Sequence, residues 1–251
     1  MCYNVCMIFV HALLFILYFL LAFLGLNLLF FLFLGAIAVT AKKEPITEQK
    51  PIYRKACYWF SAWACLIGGV RVHLSGEEKL PKSGRFVYCS NHRGLFDPLS
   101  VNVELKDYNI SFISKPSNMD LPIIGRLAWG AGYLPIDREN DRNALKTVLK
   151  AAEYLKNDVC SIGIYPEGTR SRVPGMLPFK AGSFKLAQKA KVPLVIASSK
   201  NADEVFKNFP IRPTDIYIDI LEVIPAEKVC EADTSELASY AHSLIESHLY
   251  G

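Results

Sequence analysis

From Met7 to Thr40 the chain reads MIFVHALLFILYFLLAFLGLNLLFFLFLGAIAVT, without one Asp, Glu, Lys or Arg. A helix needs about 20 mostly apolar residues to cross a bilayer, where it satisfies all its own backbone groups. This run exceeds that length. A single tilted span, a helix kinked near Gly25 and a re-entrant hairpin all satisfy it. A cleaved signal peptide would carry a basic start and an apolar core of only about 7–15 residues. The start MCYNVCMIF has no Lys or Arg, although AIA at 36–38 resembles a cleavage site.

Lys42, Lys43, Lys50, Arg54 and Lys55 follow the run. Cations gather on the cytoplasmic side of spans, so the rest of the chain is expected on the cytoplasmic face of a membrane. These side chains are also placed to meet anionic headgroups. A second apolar patch, ACYWFSAWACLIGGV at 56–70, is short for a span. Its two tryptophans and its tyrosine suit an interface. Residues 51–70 are therefore expected as a helix in or against the membrane, paired with the first. The alternative is a buried helix of the domain that follows. Residues 1–70 then form an anchor and 71–251 a catalytic domain.

The 251 residues leave room for one ordinary domain beyond the anchor. A net charge of +4 suits a membrane surface or a phosphate-bearing substrate, and nucleic acid is not an expected partner. Seven scattered cysteines with no CxxC form neither a disulfide framework nor a zinc site. Beyond residue 71, apolar strand patterns at 85–90, 109–114, 132–137, 159–166, 192–198 and 215–224 alternate with helical ones at 140–157, 184–190 and 234–249. The last helix is expected to start on a capping box at Thr234/Ser235. This alternation predicts an α/β fold, a mostly parallel sheet flanked by helices. Chemistry in such sheets sits on loops beyond the strand ends.

Two such loops carry reactive side chains. SNHRGLFDP at 90–98 places His92 five residues before Asp97. On a regular helix that step turns about 500°, so the two meet only if the chain turns between them. Gly94 allows the turn. One reading makes Asp97 the N-cap of a helix with Pro98 at its first position. The other makes His92 a general base whose partner carboxylate fixes the imidazole tautomer. A hydroxyl supplied by the substrate would then attack a carbonyl directly. Ser90 and Cys89 lack the strand–elbow context of an enzyme nucleophile. The second loop, IYPEGTRS at 164–171, offers a glycine beside free N–H groups and, in Arg170, a planar fork for phosphate oxygens. Glu167 is placed to accept from a substrate hydroxyl or to orient Arg170. The bland reading is a turn with a surface ion pair. His73, His242 and His248 have no carboxylate at useful spacing and read as surface residues. Lys185, Lys189, Lys191 and Lys200 read as a solvated basic face.

NHRGLFDP, GYLPIDRENDR at 132–142, YPEGTRS and VPLVIAS occur in that order. Together they resemble the four motif blocks of the glycerophospholipid acyltransferase family, in the form of its bacterial branch that acts on 1-acyl-sn-glycerol 3-phosphate. The resemblance spans roughly residues 71–225. It departs in the second block, which reads YLPIDR where phenylalanine is commoner. It implies transfer of a fatty acyl group from a thioester to the sn-2 hydroxyl of lysophosphatidic acid, forming phosphatidic acid. The thioester, acyl-CoA or acyl carrier protein, is a co-substrate, and the resemblance implies no metal and no cofactor. His92 would be the general base and Asp97 its orienter. Glu167, Gly168, Thr169 and Arg170 would lie at the acceptor's glycerol-phosphate end, with Lys115 and Arg138 as further phosphate-binding cations. An N-terminal two-helix membrane platform is implied as well. Three rival outcomes remain: another acceptor (glycerol 3-phosphate or a different lysophospholipid), hydrolysis of the thioester, and a membrane lipid-binding protein without turnover.

Overall fold

A computed structural model describes residues 2–137, 140–172 and 175–251. The uncharged run forms one continuous helix, α1 (Cys2–Ala38), so the chain does not turn back as a hairpin. Its window Val10–Ala38 is long and apolar enough to cross a membrane, and the most apolar stretch has no side chain buried in the protein. The next helix, α2 (Pro51–Ile67), packs antiparallel on the C-terminal half of α1. Thr40 Oγ1 lies 3.0 Å from the Tyr53 hydroxyl, and Trp63 Nε1 donates to Asn27 Oδ1 at 2.8 Å.

The pairing with α1 was expected, but α2 is also built into the domain. Tyr53, Ala56, Cys57, Ser61 and Cys65 are buried. Arg54 does not reach for headgroups. Its guanidinium donates to Asn102 Oδ1 and, at 2.6 Å, to the Ile110 carbonyl. Its position on the helix turns it inward, where local charge counting would have sent it to the membrane.

The domain follows as β1 (Val70–Ser75), β2 (Val87–Ser90), α3 (Phe96–Glu104), β3 (Ile110–Ser114), α4 (Pro116–Met119), α5 (Ile124–Gly130), β4 (Leu134–Pro135), α6 (Asp141–Lys156), β5 (Ser161–Ile164), α7 (Lys185–Ala190), β6 (Leu194–Lys200), α8 (Val205–Asn208), β7 (Thr214–Ile224), α9 (Ala226–Glu231) and α10 (Thr234–Tyr250). The seven strands form one sheet in the order β1-β7-β6-β2-β5-β3-β4. All neighbours are parallel except β6 and β7. The mostly parallel sheet read from the sequence is therefore present.

The central strands β2 and β5 are buried at every position. That is why they read as continuous apolar runs instead of alternating ones. Strand β7 alternates, with Ile216, Ile218 and Ile220 inward and Asp215, Tyr217 and Asp219 outward. Helix α6 carries its stripe through Ala151, Ala152 and Leu155 into the core. The last helix is capped by Asp233, which accepts from Ser235 N at 2.7 Å, one residue before the expected box. Four of the cysteines, Cys57, Cys65, Cys89 and Cys160, are buried and unpaired.

Candidate active site

Strands β2 and β5 are adjacent and parallel, so the loops after them leave from the same edge of the sheet. They meet. The backbone N–H of His92 donates to Glu167 Oε1 at 2.6 Å, and Ser171 N–H donates to the His92 carbonyl at 2.9 Å. The end of β6 closes the other side. The Asn91 side chain is pinned to Ser199 by two bonds, Nδ2 to the carbonyl and Oδ1 from the N–H, both 2.8 Å.

His92 Nδ1 lies 2.8 Å from Asp97 Oδ2. Helix α3 starts at Phe96, so Asp97 lies inside its first turn and is not the N-cap. The carboxylate bonds backward into the loop, accepting from Arg93 N at 2.7 Å and Gly94 N at 2.8 Å. Its other oxygen accepts from Ser199 Oγ at 2.6 Å. Four donors converge on one buried carboxylate and fix its position in the loop. A carboxylate only accepts, so Nδ1 carries the ring proton and Nε2 is left as an acceptor. Gly94 is required for space: a Cβ there would collide with the Ala202 carbonyl oxygen. The His92 ring stacks on Tyr165, with centroids 4.3 Å apart and planes 16° apart, and Tyr165 stacks in turn on Phe112 at 5.5 Å.

Glu167 is buried, and its second oxygen accepts from Leu177 N at 2.9 Å. Burial pushes its carboxyl above the ordinary range, opposed by these two backbone bonds and by His92. Both oxygens are thus engaged by the protein's own backbone. Gly168 takes a positive φ of 73°, which turns the chain sharply after Glu167 and brings it against the Lys180 ammonium.

In front of His92 lies a cavity of about 630 Å³. One wall is apolar, built from Phe112, Ile113, Ile136, Leu145, Val148 and Leu186. The lining is also cationic: Lys115, Arg170, Arg172, Lys180 and Lys185 contribute to it, and among the described residues no Asp or Glu does. Gly168 and Thr169 also line it, so six residues singled out from the sequence share one space: His92, Lys115, Gly168, Thr169 and Arg170 on its surface, with Asp97 behind His92. Arg138 lies outside the described residues. Such a space fits a molecule with an anionic head and an aliphatic tail. Lys180, Arg172 and Ser199 carried no local signal in the sequence. Lys185, read as part of a solvated face, reaches the lining because α7 begins beside the second loop.

Residues 71–199 match the family described as Acyltransferase. The 1-acyl-sn-glycerol-3-phosphate acyltransferase of Haemophilus influenzae is 29% identical over 196 residues, covering 76% of this chain and 79% of its own. That of Escherichia coli is 28% identical over 182 residues, 72% of this chain and 74% of its own. The solved 1-acyl-sn-glycerophosphate acyltransferase of Thermotoga maritima superposes with a TM-score of 0.64 over 78% of both chains. At 24% identity that likeness speaks to the fold alone.

Proposed function

The chain belongs to the acyltransferase family, and we propose that it moves a fatty acyl group from a thioester to the sn-2 hydroxyl of 1-acyl-sn-glycerol 3-phosphate, giving phosphatidic acid. The observation that carries this reading is the His92–Asp97 pair opening onto a cavity with a cationic and apolar lining. His92 Nε2 takes the proton from the attacking hydroxyl as the oxygen adds to the thioester carbonyl. Asp97 stabilises the imidazolium that forms. Collapse of the tetrahedral intermediate expels the thiolate, which takes the proton back from Nε2. The thioester is already activated, so orientation and a base suffice, and no metal or other cofactor enters the scheme.

Lys115, Arg170 and Lys180 hold the acceptor phosphate, with Arg138 as a further cation. Gly168 and Thr169 border the glycerol. Glu167 acts through His92: its bond to the His92 N–H fixes the backbone that carries the base. The domain lies on the cytoplasmic face, held by α1, with Lys42 and Lys43 at the exit of the span. The acceptor's own chain stays in the bilayer while its headgroup enters the cavity. The donor thioester is acyl-CoA or acyl carrier protein.

The test uses membranes containing the full chain, labelled oleoyl lysophosphatidate, and oleoyl-CoA or oleoyl acyl carrier protein in separate arms. Phosphatidate from the wild type and none from an equally abundant His92→Ala is the expected result, and the productive arm names the donor. Glycerol 3-phosphate as acceptor forms a third arm. Product only there moves the acceptor assignment. Free fatty acid without phosphatidate sinks acyl transfer in favour of hydrolysis.

A further inference from the structure

Helices α1 and α2 overlap along only part of α1. Thr40 meets Tyr53, Phe33 meets Trp59 and Asn27 meets Trp63. The C-terminal end of α2 at Ile67 therefore lies level with the middle of α1, where the long helix leaves the body of the protein. Beyond that level Leu13 through Leu21 and Phe23 are exposed. At 1.5 Å per residue, the stretch from Cys2 to Phe23 covers about the ~30 Å of bilayer hydrocarbon. Apolar exposure continues beside α2 through Leu24, Leu28, Leu32 and Phe33, so the membrane surface falls between the end of α2 and Lys42.

At that level the connection between β6 and β7 carries its own exposed apolar side chains. Phe206 is 66% exposed and Ile211 91%, with Phe209 between them. A groove of about 200 Å³ joins this segment to α2, lined by Trp63, Ile67, Phe96, Val205, Phe206 and Phe209. Phe206 and Phe96 meet ring to ring at 5.8 Å. Leu66, also exposed, sits on the same end of α2. A contiguous apolar surface of this kind is unusual where only water faces it.

We propose that residues 204–212 are a second membrane-contacting element, which dips Phe206, Phe209 and Ile211 into the bilayer interface beside α1. Two charges of the segment meet each other, Lys207 and Glu204 at 2.7 Å, while Arg212 keeps its charge at the end of the segment and donates through Nε to the neutral Asn208 Oδ1 at 2.7 Å. With a single unpaired cation at its end, insertion is driven by apolar area more than by anionic headgroups. Phe96, the residue before Asp97, belongs to the same apolar cluster as Val205, so this contact fixes the edge of the domain nearest the base pair against the membrane. The inference rests on the membrane placement of α1 and not on the reaction.

The test is depth-dependent quenching of tryptophan fluorescence, using the full chain in phosphatidylcholine nanodiscs whose lipids carry bromine on their acyl chains. Ile211→Trp is the probe. Tyr240→Trp, on the exposed face of α10, is the water reference, and Phe19→Trp on α1 is the bilayer reference. The signal of native Trp59, Trp63 and Trp129 comes from the parent protein. Strong quenching of Ile211→Trp by the zwitterionic bromolipid, close to that of Phe19→Trp and well above Tyr240→Trp, is expected. Ile211→Trp behaving like Tyr240→Trp, with Phe19→Trp quenched, overturns the proposal alone. Phe19→Trp unquenched overturns the membrane placement of α1 and the proposal with it. Shielding of Ile211→Trp from both bromolipid and aqueous acrylamide marks a protein contact instead, and also overturns it.

Discussion

Two histidine–carboxylate pairs in this chain have the same length. His92 Nδ1 lies 2.8 Å from Asp97, and His73 Nε2 lies 2.8 Å from Asp215. Both rings even stack on a tyrosine, His92 on Tyr165 at 4.3 Å and His73 on Tyr217 at 4.9 Å. What differs is the surroundings. The side chains of His92 and Asp97 are 18% and 0% exposed, those of His73 and Asp215 49% and 31%. Asp97 accepts its other bonds from neutral donors, so its charge stays available to an imidazolium. Asp215 shares its charge with Arg71, 2.6 Å away. One pair faces a cavity, and the other faces outward from the edge of the sheet. A short distance between imidazole and carboxylate does not by itself argue for a base; a buried carboxylate bonded only to neutral donors and a space for substrate are what favour His92 for the proposed role.

The largest expected effect is the loss of His92, the proposed base. His92→Ala is expected to lower acyl transfer by about 10²–10⁴-fold, the usual contribution of a positioned base. His73→Ala is expected to leave the rate unchanged. Initial rates of both variants in the same membranes decide it, and a comparable loss in His73→Ala would erase the distinction. The carboxylates come next. Asp97→Asn leaves some of the buried donors without an acceptor, at about 1–3 kcal/mol for each, and it no longer favours the imidazolium. Both melting temperature and kcat are expected to fall. Asp215→Asn is expected to leave kcat unchanged, since its partners remain in water.

The tyrosines sharpen the comparison further. Tyr165 supports the His92 ring through its face, so Tyr165→Phe is expected to keep activity. Tyr165→Leu gives up the stacking, worth about 0.5–1.5 kcal/mol, and is expected to reduce kcat several-fold with little change in KM. Tyr217→Leu should change neither. Activity lost in Tyr165→Phe would mean that the hydroxyl, not the ring, serves the reaction.

The same comparison explains which parts of the site were legible in the sequence. His92 and Asp97 are five residues apart, and one loop brings them together. Asp215 stands 142 residues from His73, and Asp219, 3.0 Å from His248, comes from another element altogether. Those partners depend on strand register, so both histidines read as unaccompanied. Ser199 was invisible for the same reason: it ends a strand whose apolar run conceals a hydroxyl aimed at Asp97. The buried strands and the long helices were legible because continuous apolar runs and helical stripes are local signals. The short helices α4 and α5 were not, and neither was β1, because α5 is set by packing against α2, α4 by packing against α5 and β1 by pairing with β7. Arg54 shows the limit most clearly. Its charge suggested a headgroup, and its position on α2 sends it inward to Asn102.

The smallest effect separates two carboxylates by the sign of their pH dependence. Bonds from Arg71 and then His73 hold Asp215 below its ordinary value of 3.8. A depressed value gives stability that is present above the unfolded value and lost as pH falls through the folded one. Asp215→Asn should therefore melt slightly lower than wild type at neutral pH and converge with it in acid. Glu167 runs the other way. Burial raises it above 4.5 despite its two backbone bonds. A raised value gives stability that is full below the unfolded value and lost as pH rises through the folded one. The deficit of Glu167→Gln should be largest in acid and shrink toward neutral pH. Melting of both variants against wild type in the same nanodiscs, from acid to neutral pH, is the measurement. Opposite slopes would identify Glu167 as a carboxylate held in the protein for its geometry, at a cost in charge burial. Parallel slopes would mean that its bonds to His92 and Leu177 outweigh that burial. In the same preparation, a fall in kcat with KM for the acceptor unchanged ties Glu167 to the position of His92, whereas a raised KM ties it to the acceptor's glycerol.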